Sequence, residues 1–161
     1  MLSRRFWIAA LAGGMLAGTL DMVYAITYLG IFDKSPLWVL QSVGTGWLGK
    51  AAFTGGTCAG LVGLVSHYGI SLVAATVYGT AREYVAWMRA HWVVSGAIFG
   101  VGVYLFMSFV VVPLSAAPFK MPARLEPILR GFISHALLFG IPIAWCATGE
   151  YRRRAASRNA R

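Results

Sequence analysis

The sequence predicts an all-α membrane protein with four transmembrane helices and a short interfacial or re-entrant helix between the first and second. Three observations carry that prediction. Of 161 residues, 58% are hydrophobic and 12% are charged, where about a quarter of a soluble domain is charged. The mean hydropathy is +0.69. Apolar runs recur between short charged connections, each near the roughly 20 residues that cross a hydrocarbon core.

The first span is expected over about 6–29, after Arg4 and Arg5 and ahead of Gly30, Asp33, Lys34 and Pro36. A cleaved leader is the rival reading, with Ser3-Arg4-Arg5 as its basic start and Val23-Tyr24-Ala25 as its cut site. The apolar run is about 24 residues, well beyond the roughly 7–15 of a leader, and Asp21 sits close to the supposed cut. An uncleaved span is therefore expected.

Between Pro36 and Ala81 the one charge is Lys50. This stretch is too long for one span and too short for two with a turn. Pro36 suits the first turn of a helix, and Trp38 and Trp47 suit a membrane boundary. Leu37, Leu40, Val43 and Trp47 fall on one side of such a helix, and Gln41, Ser42 and Thr45 on the other. The segment 36–50 is expected to lie on the membrane or to dip into it and return. The second span then covers about 53–80.

Arg82, Glu83 and Arg89 form a polar connection to a third span over about 92–112, closed by Pro113. Pro118, Pro122 and Pro127 break up the next stretch, since proline denies a helix a donor. The fourth span is expected over about 127–148. Residues 1–150 thus form one polytopic membrane domain, and 151–161 form a basic cytoplasmic tail. With both termini on one face, nine of the 14 Lys and Arg fall there, including Arg152-Arg153-Arg154 at a span end. That bias places both termini in the cytoplasm of a bacterial-type inner membrane.

Composition also excludes function classes. The net charge of +9 is split between connections and tail rather than gathered into a basic patch interleaved with aromatics, so no nucleic-acid partner is expected. Contact with anionic lipid of the bilayer explains it better. Cys58 and Cys146 should lie in opposite leaflets, too far apart for a disulfide, and read as small buried hydrophobes. Nothing resembles a phosphate loop, a dinucleotide fingerprint or a HExxH metal motif. No Ser–His–Asp grouping has local support. No catalytic residue, metal or cofactor is expected, and the chain is read as a non-enzyme.

Three spans carry small-xxx-small spacing, which lets helices approach closely in lipid: Gly14 with Gly18, Gly56 with Gly60 and then Gly63, and Gly96 with Gly100. Asp21 continues the first stripe, His67 the second and Tyr104 the third; His135 shares a side of the fourth span with Gly131. Asp and His are costly in hydrocarbon unless they face protein or water. Asp21 lies nine residues before Gly30 and His135 eight after Pro127, about 12–14 Å from the outer end at 1.5 Å per residue. His67 is at similar depth. Asp21, His67, His135 and Tyr104 are therefore expected to form a buried protonatable centre, serving proton-linked permeation or a response to acid. The competing structural role is an interhelical hydrogen bond. Bis-imidazole haem ligation by His67 and His135 is the redox alternative. Four helices leave little room for an enclosed path, so a homo-oligomer or a larger membrane complex is expected. In the latter case the chain is an accessory or assembly subunit.

His67 leads an apolar stretch ending in Val77-Tyr78. Ser108-Phe109 precede Pro113-Leu114 and Pro118, and Ser134-His135 open an apolar helix that closes in a basic run. Over about 66–154 this pattern resembles the YagU-like family of small bacterial inner-membrane proteins, linked by family naming to acid resistance. The resemblance implies a four-helix inner-membrane architecture without assigned chemistry. The chain departs from it at Pro36–Lys50, where that family has a long polar insertion.

Overall fold

The computed structural model describes residues 3–119 and 125–149, and all regular structure among them is helical. Helix α1 covers Arg4–Gly30, with Ser3 as cap, its Oγ accepting from the Phe6 N–H. A turn with Asp33 at φ 58° leads to α2, Pro36–Leu48. There Ser35 Oγ caps the Trp38 N–H at 3.1 Å. A 3₁₀ stretch, Gly49–Thr54, returns the chain to α3, Gly56–Tyr84. The short α4, Ala86–Ala90, precedes α5, Trp92–Leu114, and α6 covers Leu125–Gly149.

Helices α1, α3, α5 and α6 are each long and apolar enough to cross a membrane. Their ends lie within about four residues of those expected. The largest difference is at the end of α3, which continues through Arg82 because that side chain is buried and donates to the Ala147 carbonyl of α6 at 3.0 Å. The expected tail at 151–161, and Lys120, Pro122 and Arg124, lie outside the described residues.

Glycine sets how the spans meet. A Cβ on Gly14 would press on the α3 backbone at Ser71 and Leu72, and one on Gly18 would press on the Ser71 side chain. Gly96 lies against Gly140 and Ala144 of α6, and Gly100 against the His135 carbonyl. Gly60 and Gly63 receive α2 at Leu37 and Leu40. One member of the expected stripes is corrected: Gly56 faces open space and adopts φ 56°, so it starts α3 rather than packing it. Gly13, Gly44 and Gly140 pack closely as well. The Cys58 expectation is also corrected, since that thiol is exposed.

The core lies in the half of the bundle nearest the α3–α5 connection. Phe6, Ala10, Ala74, Tyr78, Phe139 and Ile143 form it, with Tyr78 fully buried between α3 and α5. Helix α5 is different: only 6% of its most apolar window is buried. One edge meets the bundle: Ser95, Gly96 and Gly100 are buried and Phe99, Val103 and Tyr104 pack partly against it, while the opposite face, with Val94, Ile98, Phe106 and Phe109, is open.

The buried side of α2 is its polar one. Gln41 and Thr45 are buried with Val39 and Gly44, while Trp47 is 74% exposed. Gly44 allows the approach by resting on the Ala59 carbonyl, and Gln41 Nε2 donates to the Gly56 carbonyl at 3.0 Å. Trp47 Nε1 reaches Ser66 Oγ at 2.9 Å, and the Ala116 N–H donates to the Gly46 carbonyl. Helix α2 therefore ties the start of α3 to the end of α5.

Candidate functional site

Helices α1 and α6 bring one carboxylate and one imidazole together halfway along the bundle. Asp21 Oδ1 lies 3.9 Å from His135 Nδ1. That exceeds hydrogen-bond length, so the two interact as charges when both are ionised. Their side chains are 16% and 22% exposed. The pair is within the bundle and turned toward neighbouring helices.

Local structure fixes the His135 ring. It begins a π-helical stretch, His135–Gly140, whose widened turn is the kind of helix irregularity that concentrates at functional sites. Nδ1 donates to the Gly131 carbonyl at 3.1 Å, since a carbonyl can only accept. In the neutral imidazole Nε2 is then the basic nitrogen. Tyr104 from α5 packs edge-on at 5.1 Å between ring centroids, and Phe139, one turn on, lies at 5.9 Å. Tyr104 reaches that position across Gly131, whose missing side chain makes the room.

His67 joins from α3. Its Nε2 donates to the Gly18 carbonyl at 2.8 Å, one turn before Asp21 on the same face of α1, leaving Nδ1 as the basic atom. Both Asp21 and His67 are close enough to act electrostatically on the His135 ring. The structure thus places Asp21 and Tyr104 each against His135, and His67 one turn from Asp21. Among the described residues no three His, Cys, Asp or Glu side chains are grouped to hold a metal ion. Haem ligation would need a plate-shaped space between the two imidazoles. His67 Nε2 is committed to Gly18, and aromatic rings pack against His135. These residues do not fit that group.

Arg130 takes a role that sequence reasoning missed. Its guanidinium covers the Tyr28 ring at 3.6 Å while pairing with Glu126 at 3.1 Å. The i,i+4 spacing of Glu126 and Arg130 accounts for the pair; the cation–π contact to α1 was not foreseen. Tyr28 lies two residues before the end of α1 and Arg130 five after the start of α6, and that shared depth was the available signal. The contact joins α1 to α6 about a turn beyond His135.

No family model matches this chain, and the comparisons found no matching curated protein or solved structure. The resemblance to the YagU-like family rests on the motif residues alone.

Proposed function

We propose that the chain is a multi-pass protein of a bacterial-type inner membrane, with both termini cytoplasmic. Its Asp21, His67 and His135 take up and release protons, in proton-linked permeation or in response to acid. One observation supports this above all: a carboxylate and an imidazole from different spans lie 3.9 Å apart at similar depth. Burying such groups is costly, and intramembrane acid–imidazole pairs are the usual elements of proton relays. In this reading α2 rests at the outer membrane boundary, its exposed Trp47 in the headgroup layer.

The test compares wild type with Asp21→Asn and His135→Ala in proteoliposomes and in cells. Loss of pH-dependent proton or solute flux, or of acid survival, is the expected result. Unchanged flux and survival in both variants would refute the reading.

The open apolar face of α5 favours a second reading, an accessory subunit of a larger membrane complex. Recovery of a stoichiometric partner protein in mild detergent would favour it over the first.

A further inference from the structure

The polar centre has unlike surroundings at its two ends. Toward the α1–α2 connection, polar groups continue: Tyr28 from α1 and Arg130 and Glu126 from α6. Toward the other end they thin to one hydroxyl, that of Ser71, which is buried and donates to the His67 carbonyl at 2.9 Å. One turn on from Asp21, Ala17 is fully buried; one turn on from His135 and two from His67, Phe139 and Ala74 are 3% and 7% exposed. Beyond them a cavity begins. Ala75 and Ile143 form its inner end, Phe6, Ala10 and Arg82 line it, and it reaches Glu83, which is exposed. His135 and Ile143 are eight residues apart on α6, so about 12 Å of helix, with Phe139 midway, separates centre from cavity.

We infer that Phe139 is the barrier of the proton pathway: the Asp21/His135 centre exchanges protons with the face of the α1–α2 connection, and the Phe139 ring separates it from the cavity that opens at Glu83. The inference rests on the proposed protonatable centre and adds its sidedness. The titratable groups facing His135 are Asp21 from α1, His67 from α3 and Tyr104 from α5. None lies on the cavity side of Phe139. In this conformation protons arrive from water on the connection face, bind His135 Nε2 or the Asp21 carboxylate, and leave by the same route, so flux across the membrane requires the Phe139 ring to move aside. An apolar ring that excludes water is a sufficient block, since constrictions of this kind gate by dewetting.

The experiment uses the full chain in proteoliposomes, with orientation read by an impermeant maleimide at Cys58. Infrared titration follows the Asp21 carboxyl band, identified by its loss in Asp21→Asn, while the pH of each face is varied separately. In wild type the band is expected to follow the pH of the connection face alone. Phe139→Ala is expected to make it respond to both faces and to raise proton flux about tenfold. Asp21→Asn in the Phe139→Ala background should return the flux to the wild-type value. A wild-type band that follows the cavity face overturns the inference, whether or not Phe139→Ala folds. So does a folded Phe139→Ala protein that stays proton-tight. Absence of any titrating Asp21 or His135 signal would instead bring down the proposed centre, and the inference with it.

Discussion

The Tyr78 hydroxyl lies 2.7 Å from Ser95 Oγ, a buried hydrogen bond joining α3 to α5. Helix α5 has little else to hold it. Its other attachments are close backbone contacts with α6, the Tyr78–Phe99 ring contact at 5.1 Å, and Tyr104 packed on Phe132 and His135. Tyr78→Phe keeps the ring and removes the bond, so it should cost about 0.5–2 kcal/mol, the range for interhelical hydrogen bonds in membranes. Unfolding in mixed micelles measures this. Ser95→Ala should not add to the loss in a double variant, because both remove the same bond.

Two neighbouring glycines of α5 should behave in opposite ways. Gly100 lies against the His135 carbonyl, whereas Gly102 meets nothing within 4 Å. Gly100→Ala should destabilise by about 1–3 kcal/mol through overpacking, and should also disturb the His135 ring through its own backbone. Gly102→Ala should be neutral or slightly stabilising. Thermal aggregation midpoints in detergent, taken side by side, check the contrast.

The Arg130–Tyr28 contact makes a prediction separable from the Glu126 pair. A double-mutant cycle of Tyr28→Leu and Arg130→Met should show a coupling of about 0.5–2 kcal/mol, that of a cation over an aromatic face. The same cycle on Glu126 and Arg130 should give less than about 0.5 kcal/mol, since Glu126 is 72% exposed and the pair is i,i+4.

Thiol chemistry reports topology. Cys58 is exposed near the start of α3, and Cys146 is half-buried near the far end of α6. An impermeant maleimide added at the face of the α1–α2 connection should label Cys58 in sealed vesicles and leave Cys146 unmodified. Mass spectrometry of the two cysteine peptides decides it.

The depth of Asp21 and His135 was legible because helical rise is fixed, so counting residues from a span end gives height. Their meeting was not. It depends on α6 packing beside α1, and lateral order in a bundle comes from which glycines accept which neighbours, a pairwise property absent from any single stripe. The same limit explains α2. Its two sides could be read from spacing, but the inward turn of Gln41 and Thr45 needed Gly44 to fit the Ala59 carbonyl and Gln41 to find the Gly56 carbonyl. Gly56 misled because it has the stripe's spacing yet sits at the helix start, where its positive φ matters instead.

Residues five apart point about 140° away from each other on an ordinary α-helix, yet His135 and Gly140 both lie against Gly100. The widened turn makes that coincidence by accommodating one residue more than the coil beside it. Were the segment to close into uninterrupted α-geometry with all its residues kept, everything from Leu125 to His135 would pivot by roughly 100° against the rest of the helix, carrying the imidazole out of phase with the carboxylate of α1. Excising Ala136 removes the extra residue together with the wide turn, so the two ends of α6 should stay in phase and both halves of this centre should still face each other.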